Sequence, residues 1–420
     1  MKLAFLVNKN KNEAQNYRIV RILDSAFKKA GIQTIYIFPS FSLKEYKESR
    51  KTKDEFSFYY YYPDQYQTDF SKQVSNNKGN VIGLTKLFFR HPIYSVTFLR
   101  RRLFLGKNEQ HFIDLRFGRF IKKVITLEKP DFLIAVSNPT YSSNVLPLIE
   151  SGVKKIWYQI DPFALNGMQQ ENSSKEIIPR EIKVYEASDR IIMQETALSE
   201  LHNINVLSRF EEKCVTFKFP LIGHIDTKSE NNDFTFKTNG INCVYAGALM
   251  SPIRRPEYML ALFKRLSKYG INLHIWCKAT SMENELITLA GDSVICHGNT
   301  DFNEMIGILR TADVLVNLGN SVTNQFPSKL LDYISLGKPI INIVKTNECP
   351  TIDVIERYPL GVTIHESETL EESAKMIIDF LNCFVGKKMP LKKAELIYKE
   401  YTPAYVAEQW VKLLIELEAI

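Results

Sequence analysis

The 420-residue chain contains little that would tie it to a membrane interior, an oxidising compartment or a metal. No stretch approaches the roughly 20 consecutive apolar residues that a membrane-spanning helix requires. The first apolar run, Lys2 to Val7, reads as a strand. It is too short for a signal peptide's apolar core and has no cleavage site, so a cytoplasmic location is expected. The six cysteines (Cys214, Cys243, Cys277, Cys296, Cys349, Cys383) stand singly, with no Cys-x-x-Cys and no histidine at metal-ligand spacing. Reduced core thiols are expected, not a zinc site or a disulfide framework. Cys243, Cys277 and Cys296 each fall in a predicted strand, which suggests burial.

The apolar fraction is 45%, enough for packed cores, and the length suggests two or three domains. The net charge of +7 is concentrated: between Lys86 and Lys123 there are ten Lys or Arg against Glu109 and Asp114, a local balance of +8. The same segment carries Phe88, Phe89, Tyr94, Phe98, Phe104, Phe112, Phe117 and Phe120. Basic and apolar together, it suits an anionic membrane surface or a lipid-phosphate partner better than nucleic acid. The tyrosine-rich run Phe56 to Pro63 reads as irregular.

Strand and helix patterns alternate along most of the chain. In the first half they are strand Lys2 to Val7, helix Gln15 to Ala30 and strand Gln33 to Phe38; after the aromatic and basic insertion come helix Phe112 to Leu127 and strand Asp131 to Val136. Helix Ser142 to Glu150, strand Lys155 to Gln159, helix Pro179 to Ala187, strand Arg190 to Met193, helix Thr196 to Leu201 and strand Cys214 to Pro220 complete it. The second half is more regular, from strand Ile241 to Ala246 through helix Leu370 to Phe384. Such alternation predicts an α/β fold of doubly wound parallel sheets. The expected domains are 1–222, with the insertion around 41–110, and 241–400, joined by a polar linker at 223–240. A terminal helix at 401–420 has Pro403 in its first turn and apolar Trp410, Leu413, Leu414 and Leu417.

The densest motif is Asn324-Gln-Phe-Pro-Ser-Lys-Leu-Leu-Asp-Tyr-Ile-Ser-Leu-Gly-Lys-Pro-Ile-Ile341. Pro327 and Ser328 start a helix, and Gly337 with Pro339 ends it before a β-branched strand. The N-terminus of that helix faces the strand ends, where backbone N–H groups and the helix dipole attract phosphate. Lys329 stands in the first turn, where a cation opposes the dipole unless an anion is present. Asp332 lies three residues on, so both side chains address one ligand. In isolation the pattern fits a capped helix with solvated charges equally well.

Two Rossmann-like domains with these motifs resemble the GT-B glycosyltransferases, and family 4 in particular, over nearly the whole chain. The resemblance implies two doubly wound domains facing a cleft, with a C-terminal helix crossing back to the first. Tyr245-Ala-Gly-Ala-Leu-Met-Ser-Pro-Ile-Arg-Arg-Pro256 matches the family's glycine turn and basic residue. It assigns Gly247, with Arg254 or Arg255, to the donor diphosphate. The family's Glu-x₇-Glu pair falls on Asn324 and Asp332, a sugar contact and a ribose carboxylate, with Ser328 and Lys329 between them. Cys296-His-Gly-Asn-Thr-Asp301 places His297 and Gly298 at the nucleobase; Asn317, Gly319 and Asn320 are candidates for donor hydroxyls. In the first domain Tyr158-Gln-Ile-Asp-Pro-Phe163 resembles the family's His-Asp loop, with Asp161 matching and Ile160 where relatives carry histidine. Asn8, Asn138 and Glu195 are candidate acceptor-side residues.

The implied activity is transfer of a sugar from a UDP- or GDP-sugar to a saccharide or lipid-diphosphate-linked acceptor, as in bacterial surface polysaccharide synthesis. It would proceed with retention, without a metal or other cofactor, at the inner face of the plasma membrane and with no nucleic-acid partner. Arg254 or Arg255, Lys329 and Asp161 would carry the catalysis. The same fold serves sugar-nucleotide epimerases. Asn324, in place of the family's glutamate, also leaves room for an inactive subunit that supports a partner enzyme.

Overall fold

The computed structural model describes residues 1–7, 15–39, 57–61, 74, 80–90, 92, 95, 109–137, 141–162, 171–202, 205–223, 234–237, 239–249, 251, 253–279, 281–291 and 294–419. They form two compact units, one of Met1–Ala164, Lys175–Met193 and Ile204–Val215, the other of Leu165–Ser174, Gln194–Asn203 and Thr216–Ile420. The expected loop residues Asn8 and Asn138 lie outside the described residues, as does most of the insertion around 41–110.

The first unit is built on a seven-stranded sheet in the order β3-β2-β1-β4-β5-β6-β7. Its strands are β1 (Lys2–Val7), β2 (Gln33–Pro39), β3 (Ser57–Tyr61), β4 (Phe132–Ser137), β5 (Lys154–Gln159), β6 (Arg190–Met193) and β7 (Cys214–Thr216). The pairings from β3 through β6 are parallel. Leu3 to Val7 and Phe132 to Val136 are wholly buried, as expected of strands covered on both faces. Helices α1 (Gln15–Lys29), α2 (Val81–Arg90), α3 (Glu109–Glu128) and α4 (Glu171–Ala187) complete the alternation.

Three local expectations are corrected. The run Phe56 to Pro63 is not irregular: its centre is β3, paired in register with β2 from Ile35↔Ser57 to Pro39↔Tyr61. Aromatic residues suit a pleated surface, and that preference outweighs the polar hydroxyls. The expected helix Ser142 to Glu150 is one α-turn, Tyr141–Asn144, and a 3-10 turn, Leu146–Leu148. Pro147 has no N–H to continue an α-helix. Conversely, Pro179 lies inside α4 and does not start it.

The second unit holds a six-stranded parallel sheet in the order β10-β9-β8-β11-β12-β13. The strands are β8 (Ile241–Ala246), β9 (Ile271–Trp276), β10 (Val294–Gly298), β11 (Val314–Leu318), β12 (Ile340–Val344) and β13 (Gly361–His365). Helix α5 (Glu195–Leu201) also belongs to this unit. One face of the sheet, with Cys243, Tyr245, Leu273, Ile275 and Val316, packs on α6 (Glu257–Leu266), α7 (Ser281–Ala290) and α11 (Leu370–Phe384) through Phe263, Ile287 and Ile377. Between them in sequence are α8 (Phe302–Thr311), α9 (Lys329–Leu336) and α10 (Ile352–Glu356). Helices α12 (Leu391–Ile397) and α13 (Pro403–Glu418) follow, and Trp410 of α13 packs edge-on to Phe217 within the same unit. Cys243 and Cys277 are buried as expected, but Cys296 is exposed because β10 is the sheet edge.

Helix α11 begins with a complete capping box: the Thr369 hydroxyl accepts from Glu372 N–H and the Glu372 carboxylate accepts from Thr369 N–H. Thr369→Ala is expected to lower stability by about 1 kcal/mol, measured as a shift of the urea midpoint at constant slope. No helix among the described residues is long and apolar enough to cross a membrane.

Candidate functional site

In an open parallel sheet, ligands bind beyond the strand C-termini where the strand order reverses. In the second unit that point lies between β8 and β11. A cavity of about 320 Å³ opens beside it, over the C-terminal ends of β8, β9 and β10, within the range of small-molecule sites. It is lined by Ala246 and Gly247 after β8, Trp276 and Lys278 at the end of β9, Asn299 and Thr300 after β10, and by α8 and α9. From α9 come Lys329, Asp332 and Tyr333.

Lys329 occupies the first position of α9, and its side chain is reachable from the cavity. Its Nζ donates to the Ala246 carbonyl at 3.0 Å. Tyr333 holds the same segment, since its hydroxyl accepts from Ala246 N–H at 3.0 Å. Crowding by the cavity walls, and then the nearby Arg254 cation, pull the Lys329 ammonium down to about 8; Asp332 partly opposes this. A cation under such pressure is relieved by an anion. Asp332 itself is 4% exposed and lines the cavity one turn along. At Gly247 a Cβ would stand 2.8 Å from Tyr245 Oη, so that side chain would have to shift, and 3.5 Å from Lys329 Nζ. The hydroxyl of Ser328 makes no capping bond to the helix. The N–H groups of Leu330 and Leu331 in the first turn donate to the Pro327 and Ser328 carbonyls at 3.0 and 3.2 Å.

The two arginines differ. Arg255 is exposed and pairs with Glu257 at 2.6 Å. Arg254 is half-buried, and its Nε donates to Asn320 Oδ1 at 2.7 Å. Of the residues expected at donor hydroxyls, Asn320 is thus engaged by an arginine. Asn317 donates to Asn342 at 2.7 Å in a buried network, and Gly319 packs against Cys349. Asn317 and Asn320 are both buried, at 5% and 3% exposure.

Asn324 is 4% exposed and does not line the cavity. Its amide donates to Glu200 Oε2 at 2.5 Å, and Thr323 Oγ1 donates to the other carboxylate oxygen at 3.4 Å. Burial raises the Glu200 carboxyl above its ordinary range, against the lowering effect of these two donors. Glu195, at the start of the same helix α5, pairs with Lys218 at 2.6 Å. Asp161 is half-buried in the first unit, just past β5, and is not a cavity residue. His297 stacks on Trp276 with centroids 3.9 Å apart and rings 6° from parallel. Gly298 beside it has a φ of 77°.

A relay behind that stack was not anticipated. Asn242 Nδ2 faces the Gly240 carbonyl and Asp313, so its Oδ1 accepts from His274 Nε2 at 3.0 Å. His274 Nδ1 is left to accept from His297 Nε2, also at 3.0 Å. Burial, then His297, hold His274 down to about 4, so both rings are neutral near pH 7. Trp276, Tyr333, Glu200 and this relay were missed in the sequence. For Trp276 a signal existed, its position at a strand C-terminus; Glu200 lies 124 residues from Asn324, and nothing local marks it. Among the described residues no group of three His, Cys, Asp or Glu is placed to hold a metal ion.

No protein-family model matches the chain, and no curated protein matches it in sequence. Solved structures match over nearly the whole length. A sucrose-phosphate synthase from Thermosynechococcus elongatus has a TM-score of 0.61 at 12% identity, covering 100% of this chain and 99% of its own. A glycosyltransferase from Rickettsia africae ESF-5 has a TM-score of 0.59 at 13% identity, covering 99% and 98%. A UDP-GlcNAc 2-epimerase from Neisseria meningitidis, bound to UDP-GlcNAc, has a TM-score of 0.54 at 11% identity, covering 99% and 100%. With its two doubly wound sheets, the chain has the GT-B fold shared by these structures.

Proposed function

We propose that the protein is a retaining, metal-independent glycosyltransferase of the family 4 type, taking a nucleoside-diphosphate sugar as donor. One observation carries the reading: Lys329 stands at a helix N-terminus inside a cavity next to the switch point of a parallel sheet, with Asp332 beside it. A diphosphate there meets the Lys329 ammonium at the positive end of α9 and reaches towards Arg254, which stands near Lys329 without lining the cavity, while Asp332 accepts from ribose hydroxyls. Arg255 is committed to Glu257, so Arg254 is the arginine assigned to phosphate. Trp276 and Asn299 form the base side of the cavity; His297, stacked on Trp276, and Gly298 do not line it.

As the glycosidic bond breaks, negative charge develops on the leaving diphosphate. Lys329 and Arg254, with the positive end of the α9 dipole, are fixed in advance to stabilise it. The departing phosphate oxygen then takes the acceptor hydroxyl's proton on the same face of the sugar, giving retention without a protein nucleophile. Asn8 and Asn138 keep their proposed place on the acceptor side, and Asp161 its proposed catalytic role of orienting a sugar. The acceptor is a saccharide or a lipid-linked saccharide presented at an anionic membrane surface. Support for the membrane comes from α2, which has no buried residues, exposes Val81, Ile82 and Phe89, and bears Lys86 and Arg90.

The test is a panel of UDP- and GDP-sugars assayed for nucleotide release and for product sugar. Nucleotide release with retained anomeric configuration is expected. Conversion of the donor to its 2-epimer, with no transfer, would establish the epimerase reading instead. Absence of both turnover and nucleotide binding would sink both readings. Asp332→Asn is expected to lower donor affinity about 10-fold with little change in folding, because it removes a charged acceptor from the ribose.

A further inference from the structure

We propose that Asn320 is a positioning residue for the donor diphosphate, acting through Arg254; the inference rests on the phosphate role given to Arg254 above. Asn320 is 3% exposed and uses both ends of its amide. Its Oδ1 accepts from Arg254 Nε at 2.7 Å, and its Nδ2 donates to the Gln325 carbonyl at 2.6 Å. The loop that carries it is itself fixed to the arginine's loop, because Ser321 N–H donates to the Ile253 carbonyl at 2.7 Å. The segments leaving β8 and β11, on the two sides of the switch point, are thereby locked together at the residue next to Arg254.

The atom that is held decides the role. Arg254 also meets the Tyr245 hydroxyl, and an anchor at Nε leaves terminal nitrogens of the guanidinium to bind phosphate. An arginine without that anchor would have to order a long side chain on binding, at a cost in affinity. The chemistry of the anchor matters equally. A carboxylate at position 320 would accept from Arg254 more strongly, but would neutralise it and repel the Gln325 carbonyl. A neutral amide orients the cation while leaving its charge uncompensated. The depressed Lys329 ammonium, which senses Arg254, is consistent with that uncompensated charge.

The experiment is a calorimetric titration of UDP, GDP and inorganic pyrophosphate into the full chain and into Arg254→Ala, Asn320→Ala, Asn320→Asp and the Arg254→Ala/Asn320→Ala double variant. Thermal unfolding is followed in parallel. Asn320→Ala is expected to weaken binding about 10-fold in the wild-type background and not at all when Arg254 is already absent. Asn320→Asp is expected to weaken it more, and to move the alkaline loss of binding upward in pH, since Lys329 then sits beside a neutralised arginine. A purely structural asparagine would move neither the pH profile nor the coupling. Additive losses in the double variant, or wild-type affinity in Asn320→Asp, would overturn the inference while leaving the phosphate site intact. Wild-type affinity in Arg254→Ala, or failure of all three probes to bind the full chain, would remove the site reading and this inference together.

Discussion

Lys329→Ala is expected to weaken nucleoside-diphosphate binding by about 100-fold, the largest functional loss from any single side chain in the cavity. A hydrogen bond to a charged group contributes about 1.5–3 kcal/mol, and every 1.4 kcal/mol is tenfold. Lys329 is exposed as a residue, with its ammonium at the cavity wall beside Arg254, and an incoming diphosphate relieves the repulsion between the two cations. The ammonium is held down to about 8 in the ligand-free protein and rises towards its ordinary value once the anion is bound.

Binding near pH 8 and above therefore takes up a proton, and affinity falls as pH rises through about 8. Calorimetry in two buffers of different ionisation enthalpy measures that proton directly. A pH-independent affinity between 7 and 9.5 would refute the assignment. The linkage has a second face in the free protein. A base whose folded value lies below its unfolded one binds fewer protons when folded, so stability rises as pH goes from about 8 towards 10.5. Lys329→Met is expected to remove that slope, and with it to raise the unfolding temperature near pH 7. A fall in that temperature would show that the ammonium supports the fold.

Gly337→Ala is expected to cost about 3 kcal/mol, a large structural effect for a single methyl. Gly337 ends α9 in the left-handed region, at φ 71° and ψ 15°. A side chain there is strained by about 1 kcal/mol. A Cβ would also stand 2.2 Å from the Met389 carbonyl oxygen, and that oxygen belongs to backbone, not to a movable side-chain end. The Met389 N–H donates to the Gly337 carbonyl at 2.8 Å, so the two segments cannot separate without losing a hydrogen bond. Urea unfolding followed by tryptophan fluorescence would show the shift. A change below 1 kcal/mol would mean that the segment at Met389 yields freely. Since α9 carries Lys329 and Asp332, diphosphate affinity is expected to fall with stability.

Periodicity made the second sheet legible. Ile241–Ala246 and Leu370–Phe384 have the bounds that apolar spacing and capping residues predict. The start and stop of α9 were equally readable, because Pro327, Ser328, Gly337 and Pro339 act locally. What escaped were properties of strand pairing. Cys296 looks like a core residue in one dimension, and only the place of β10 at the sheet edge exposes it. Arg254 and Arg255 are indistinguishable as neighbours in a turn; a glutamate two residues on and an asparagine 66 residues away separate them. The role of Asn324 depends on Glu200, from a helix that lies in sequence between two strands of the first sheet, β6 and β7, but packs with the second unit.

That last placement has a consequence for how the protein is made. During synthesis Gln194–Asn203 leaves the ribosome before any strand of the second sheet exists, and it must wait for Asn324 before Glu200 has its partner. The second unit is therefore not a heritable module that a cut in the polar segment at 223–240 could release whole. A gene fragment starting there would encode every cavity residue, yet would omit the helix that closes on the loop before Lys329.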